Sequence, residues 1–76
     1  MKEVVLCLAR VLVSQPERVR VEEFDEGEVQ VAELSVSAED RGRIIGRGGR
    51  TADALRTIVE AVGRHWDEPW ELDILG

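Results

Sequence analysis

The chain has 76 residues, 43% of them hydrophobic and 34% charged, a composition typical of one small globular domain. Its formal net charge of −6 argues against indiscriminate coating of nucleic acid or of anionic membranes. A single cysteine and a single histidine exclude a disulfide framework and a Cys/His zinc site. Neither a signal peptide nor a membrane span is recognised, so we expect a cytoplasmic protein.

Hydrophobic periodicity predicts the first two elements. Apolar residues recur at helical spacing from Val4 to Leu12, which predicts an amphipathic helix within residues 2–13 that ends before Pro16. Val19 and Val21 then alternate with charged residues, as in a half-buried strand.

A turn at residues 25–27 leads into a predicted second strand over residues 28–37. The apolar alternation of this strand shifts by one residue near Val31 and Ala32. A β-bulge at this point would place both halves of the pattern on one face of the sheet, and we therefore expect one.

The next segment reads as the start of a short helix. Ser37 stands where an N-cap is expected, and Asp40 follows three residues later as the second member of a weak capping box. The helix is short because glycines begin at Gly46.

A longer helix and a last strand complete the predicted elements. Apolar residues from Leu55 to Val62 follow a 3.6-residue period, and Gly63 is a candidate C-cap. Residues 70–74 alternate as in a strand. The predicted fold class is therefore α+β, in two layers, with the order α-β-β-α-α-β and the helices on one face of a three-stranded sheet.

Positive charge is concentrated in one segment of this acidic chain. Residues 41–56 contain one acidic residue and five arginines, whereas the other sixty residues contain five basic and fifteen acidic side chains. The arginines are Arg41, Arg43, Arg47, Arg50 and Arg56. Because arginine suits bidentate contacts with phosphate, the segment indicates a local anion site.

Three glycines lie within four positions of this segment, at Gly46, Gly48 and Gly49, between the two predicted helices. Glycine is favoured where the backbone turns sharply and another molecule must approach it closely, and the helix that follows presents unpaired N–H groups to an anion. A Walker loop is excluded because the only lysine is Lys2. A dinucleotide fingerprint is excluded because it must follow a strand.

The turn Gly46-Arg47-Gly48-Gly49, preceded by Ile44-Ile45, resembles the G-x-x-G loop of the KH domain family, which clamps about four nucleotides of single-stranded backbone. The leading helix resembles the type II, bacterial variant. The whole chain, including Pro16 and residues 49–57, is similar to the KhpA family of small stand-alone KH proteins. The resemblance implies that residues 1–76 form a single KH domain.

The resemblance also implies a non-catalytic protein that binds single-stranded RNA, with a KhpB/Jag-type KH protein as partner and homodimerisation as a further option. The implied RNA-binding residues are Gly46, Arg47, Gly48, Gly49, Arg43, Arg50, Ile44 and Ile45. One isoleucine would pack inward and the other would form an apolar floor, with Leu34 or Val36 as the opposite wall. No cofactor, metal site or catalytic residue is expected. The open alternative is a protein-interaction module that uses the same loop, with RNA binding weak or supplied by the partner.

Overall fold

The computed structural model describes residues 1–75 and has the predicted order of elements. The helices are α1 (Lys2–Leu12), α2 (Arg41–Ile45) and α3 (Arg50–His65), and the strands are β1 (Arg20–Asp25), β2 (Gln30–Ser35) and β3 (Trp70–Ile74). Single turns of 3-10 helix occupy Pro16–Arg18, Ala38–Asp40 and Arg47–Gly49. Of the helices in residues 1–75, none is long and apolar enough to cross a membrane.

The three strands form one sheet in the order β1-β2-β3, with β1 antiparallel and β3 parallel to the central strand β2. Parallel neighbours need a long crossover, which α2, the glycine turn and α3 supply. Directly opposed residues share a face, and one face carries the buried side chains of Val21, Ala32, Leu34 and Leu72. These side chains form one core with residues of the helices, which confirms the two-layer α+β fold.

The predicted bulge in β2 is wrong. The strand pairs residue for residue with β1, with Val31 opposite Phe24 and Ala32 opposite Glu23. Val31 therefore lies on the other face of the sheet beside Phe24, and both faces of β2 carry apolar residues. The one-residue shift in the apolar alternation therefore indicates a strand that buries Val31 on one face of the sheet and Ala32 on the other.

The face of the sheet turned away from the core is strongly acidic. Glu22, Glu33 and Asp73 lie in one row across the three strands, and Glu71 lies in the next row with Val31. Four carboxylates on one small surface repel polyanions. Nucleic acid is therefore disfavoured on this face.

Gly63 lies inside α3 rather than at its end, because the helix continues to His65. A Cβ at this position would lie 2.6 Å from the Glu68 carbonyl oxygen and 3.0 Å from Cβ of Trp70. The missing side chain thus lets the chain turn back tightly and run β3 alongside α3. The start of α3, with the glycine turn, consequently lies toward the carboxyl end of β3.

Candidate nucleic-acid interface

The glycine turn joins α2 to α3 through a backbone that only glycine adopts readily. Gly46, Gly48 and Gly49 have φ values of +75°, +63° and +78°. The amide of Gly46 donates to the Gly42 carbonyl (2.8 Å), and the amide of Gly49 donates to the Gly46 carbonyl (3.1 Å). Left-handed conformations at three of four residues explain the glycine content that the sequence shows.

Gly46 is also constrained by packing. A Cβ on Gly46 would collide with Oγ1 of Thr51 and would lie 2.7 Å from its Cβ and 2.9 Å from its backbone nitrogen. At Gly48 and Gly49, no heavy atom of residues 1–75 lies within 4 Å of such a Cβ. The loop is therefore seated on the first turn of α3 at Gly46 and open to solvent at Gly48 and Gly49.

The five arginines of the segment are all exposed, and they differ in their partners. Arg43 lies 3.6 Å (Nε to Oδ1) from Asp40, and Arg56 lies 3.3 Å (Nη1 to Oδ1) from Asp53. Within residues 1–75, Arg41, Arg47 and Arg50 form no ion pair. Of these three guanidinium groups, those of Arg47 in the loop and Arg50 at the start of α3 are the ones beside the glycine turn that remain available for an anion.

The N-terminus of α3 adds partial positive charge beside these arginines. Its N-cap residue is Gly49, which provides no side-chain acceptor for the first N–H groups of the helix. The Arg50 N–H already donates to the Arg47 carbonyl, so the helix dipole is the contribution of α3 that favours an anion at this position.

The two isoleucines before the loop point in different directions. Ile44 is fully buried in the core, whereas Ile45 is 43% exposed. Ile44 therefore fixes α2 against the core, and Ile45 is the one that offers an apolar surface beside the loop. The resemblance to KH domains implies that one isoleucine packs inward and the other forms an apolar surface, without stating which is which.

The structure also distinguishes the two candidates for the opposite wall of the groove, Leu34 and Val36. Leu34 is fully buried, so it is unable to line a surface groove. Val36 is half-buried and lines a cleft of about 480 Å³ together with Glu17, Arg18, Arg20 and Ser37.

Arg18 and Arg20 are basic residues that sequence reasoning does not place near the site. In the sequence they alternate with Val19 and Val21 and resemble the ordinary solvent face of a strand, although Arg18 ends a 3-10 turn and only Arg20 belongs to β1. In the fold, the start of β1 lies beside the end of β2, since Arg20 pairs with Ser35. This is also the end of the sheet toward which α3 begins, so the two arginines and the glycine turn occupy the same end of the domain.

Asp40 holds the start of the α2 region in place and is buried. Its Oδ1 accepts hydrogen bonds from the backbone N–H and hydroxyl of Ser14, both at 2.9 Å. Its Oδ2 accepts from the N–H of Gln15 (3.1 Å) and from the hydroxyl of Ser37 (3.0 Å). Ser37 is the N-cap of the 3-10 turn as predicted, but the capping-box hydrogen bonds to backbone N–H groups do not form, and the Ser37 hydroxyl donates instead to the Asp40 carboxylate three residues later.

These donors change the acidity of Asp40. The Ser14 backbone N–H is the largest influence, and with the two hydroxyl groups and the Gln15 N–H it outweighs burial, lowering the pKa of Asp40 from 3.8 to about 2. The carboxylate is therefore ionised at neutral pH. It connects residues 14–15, after α1, to the segment that begins α2.

The chain is similar to known proteins over most of its length. The family model described as KhpA/KhpB, KH domain, matches residues 2–74. The chain is 44% identical to the RNA-binding protein KhpA of Halalkalibacterium halodurans and 41% identical to that of Listeria monocytogenes, over 75 residues and 99% of both chains in each case. The RNA-binding protein KhpA of Clostridium perfringens is 49% identical over 61 residues, which are 80% of this chain and 81% of the relative.

Among solved structures, a crystal structure of Aquifex aeolicus Era bound to GDP and aluminium fluoride is similar to this chain, with a TM-score of 0.68. The match covers 96% of this chain and 28% of the Era chain, at 19% sequence identity. At this identity the likeness shows the fold alone.

Proposed function

Because the chain belongs to the KhpA/KhpB KH-domain family, which is not a class of enzymes, we propose that it binds single-stranded RNA at the glycine turn. The observation that carries this proposal is the exposed turn at residues 46–49, flanked by the unpaired guanidinium groups of Arg47 and Arg50. Phosphates lie against the glycine backbone, where no side chain keeps them at a distance. The helix dipole of α3 and the two arginines neutralise their charge.

The bases lie against an apolar surface that begins at Ile45. Aliphatic contact favours burial of a base without reading its hydrogen-bonding edge, so we expect modest sequence discrimination. Gly48 stands where a KH loop often carries a polar or basic residue, which leaves Arg47 as the only charge within the turn. For this reason we expect the isolated domain to bind RNA more weakly than a KH domain whose loop carries a polar or basic residue at this position.

The first prediction concerns the charge of the turn. Three to four phosphate contacts give a slope of log K against log salt near −2 to −3, at about −0.7 per phosphate of single-stranded RNA. The double substitution Arg47→Asp/Gly48→Asp places two carboxylates in the turn, and we expect it to weaken binding more than tenfold. Fluorescence anisotropy of a labelled single-stranded RNA pool, at low and moderate salt, measures both quantities.

The matched control is Arg64→Asp/Gly27→Asp. It makes the same change in net charge, and Gly27, like Gly48, has a positive φ and open space around a new Cβ. Both control residues lie at the end of the domain opposite the glycine turn. Arg64 is in the last turn of α3, and Gly27 is in the turn between β1 and β2. Equal losses in the two variants, or a wild-type salt slope near zero, would contradict a clamp at residues 46–49.

A specific observation supports protein interaction as a second candidate function. A groove of about 300 Å³ between α1 and α3 is lined almost wholly by apolar atoms and includes Thr51, the residue that contacts the glycine turn. Val11 in this groove is 81% exposed, and Ile58 is 39% exposed. A second copy of the chain, or a KhpB/Jag-type KH protein, would bury this surface beside the loop.

The second prediction tests that candidate. Because Val11 is exposed in the single chain, Val11→Asp leaves the fold intact and places a charge in the groove. If the groove mediates association, sedimentation velocity at increasing protein concentration shows larger species for the wild type and a single small species for the variant. The neighbouring change Arg10→Asp serves as control. A wild type that stays monomeric, alone and with a KhpB/Jag-type protein, excludes this function.

A further inference from the structure

We infer that the cleft formed by Arg18, Arg20, Val36 and Ser37 is a second nucleic-acid subsite, which holds one phosphodiester of an RNA strand that extends beyond the glycine turn. The inference rests on the proposed function, because it extends the same bound strand. Its basis is the arrangement of donors and charge in the cleft.

Arg20 is pre-oriented for this contact. Its Nη1 donates to the carbonyl oxygens of Glu17 (2.8 Å) and Val19 (3.0 Å), so the guanidinium group is held against the start of β1. Nε and Nη2 still carry three N–H donors, which suit two oxygens of a phosphate. Arg18 is exposed and forms no ion pair within residues 1–75.

The remaining residues of the cleft select a phosphodiester. The Ser37 hydroxyl donates its hydrogen to Asp40, so the two arginines are the donors that face an anion. Glu17 also lines the cleft, and its negative charge reduces the charge of the two arginines to a net +1. That charge matches the single negative charge of a phosphodiester better than the double charge of a terminal phosphate. Half-buried Val36 provides an apolar contact for the sugar or the base.

The position of the cleft suits a strand that leaves the glycine turn. The segment from Ser37 to Gly46 is one 3-10 turn followed by α2, with a length of about 14 Å at the usual rise per residue. A KH loop clamps about four nucleotides, so a short RNA is held by the turn alone and a longer RNA reaches the cleft. The acidic row of Glu22, Glu33 and Asp73 keeps the strand off the open face of the sheet and directs it over this end of the domain.

The test compares RNA lengths in two double variants. Arg18→Gln/Arg20→Gln removes two positive charges from the cleft, and Lys2→Gln/Arg64→Gln removes two at the other end of the domain. Binding of labelled random-sequence RNA, either 5 or 12 nucleotides long, is measured by anisotropy at several salt concentrations, after circular dichroism has confirmed the fold.

We expect the cleft variant to bind the 12-nucleotide RNA about 3- to 10-fold more weakly, with a salt slope reduced by about 0.7 for one lost phosphate contact. Its affinity for the 5-nucleotide RNA stays at the wild-type level, and the control variant keeps both affinities. A 12-nucleotide affinity insensitive to the cleft variant, or equal losses for both lengths, overturns the subsite.

A second readout separates this inference from the proposed function. In the wild type, the backbone amide resonances of Val36 and Ser37 shift on adding the 12-nucleotide RNA and stay in place with the 5-nucleotide RNA. Shifts at these amides with both lengths, or with neither, count against the subsite. Retention of 5-nucleotide binding by Arg47→Asp/Gly48→Asp instead defeats the clamp at the glycine turn.

Discussion

Gly46→Ala is expected to lower the free energy of unfolding by about 2–6 kcal/mol and to weaken RNA binding more than tenfold. A residue with a Cβ at φ +75° and ψ 170°, a region essentially restricted to glycine, costs about 1–3 kcal/mol, and forcing that Cβ into Thr51 adds about 1–3 kcal/mol. A 76-residue domain has a total stability of about 4–11 kcal/mol, so this loss is a large fraction. Urea denaturation followed by tryptophan fluorescence measures it.

Gly48→Ala is the matched comparison for this prediction. Gly48 also has a positive φ (+63°), but its ψ of 19° lies in the left-handed helical region, whereas the ψ of Gly46 is 170°. Among residues 1–75, a Cβ on Gly48 meets no heavy atom within 4 Å. The expected loss is therefore about 1–2 kcal/mol, with RNA affinity changed only a few-fold. If the two variants lose equal stability, the contact between the loop and the first turn of α3 is not what constrains Gly46. RNA binding is compared at a urea concentration at which both variants remain folded.

Asp40→Asn is expected to lower the melting temperature by about 10 °C or more at neutral pH. Each carboxylate oxygen of Asp40 accepts two hydrogen bonds, from Ser14 on one side and from Gln15 and Ser37 on the other. The asparagine side chain has the same shape, but its NH2 group replaces one of the two carboxylate oxygens and therefore faces hydrogen-bond donors. Partly buried N–H groups then lose their acceptor, and the connection between residues 14–15 and the start of α2 weakens.

The pH dependence tests whether the charge of Asp40 is responsible. The pKa is lowered by folding, from 3.8 to about 2, so the carboxylate contributes stability above pH 4 and loses that contribution as the pH falls toward 2. The difference in melting temperature between wild type and Asp40→Asn therefore narrows between pH 4 and pH 2. Thermal denaturation followed by circular dichroism at several pH values measures it.

The neighbouring acid supplies the control for Asp40. Glu39 is exposed and accepts one hydrogen bond, from the Gln15 side-chain amide (3.2 Å). Glu39→Gln removes the same charge without leaving a buried donor unpaired, and it should change the melting temperature by only a few degrees. A pH-independent difference between wild type and Asp40→Asn would show that shape, not charge, accounts for the stability that Asp40 provides.

Local patterns in the sequence are sufficient for the order of elements and for the glycine turn. Periods of 3.6 and 2 residues predict α1, α3 and the strands, because each element buries one face. Three glycines in four positions predict left-handed backbone, and the structure has it at all three. The surrounding arginines are a property of composition and need no fold to be recognised.

The errors in the sequence interpretation occur where distant segments meet. The phase shift at Val31 predicts a bulge, yet the strand is regular because Phe24 on the neighbouring strand shares its face. Gly63 resembles a C-cap, yet its missing side chain accommodates the Glu68 carbonyl, and α3 continues past it. Each depends on a neighbour that the local pattern does not contain.

Residues close together in the chain are sufficient to predict the α+β class, the order of elements, and the position and charge of the glycine turn. Packing between distant segments is what leaves Ile45, and not Ile44, exposed beside the turn. It also joins Asp40 to Ser14, 26 residues away, and brings Arg18 and Arg20 to the end of the domain that carries the turn. Burial and charge at these positions depend on which distant segments the parallel crossover brings together. The hydrophobic periodicity of a single segment carries no information about those contacts.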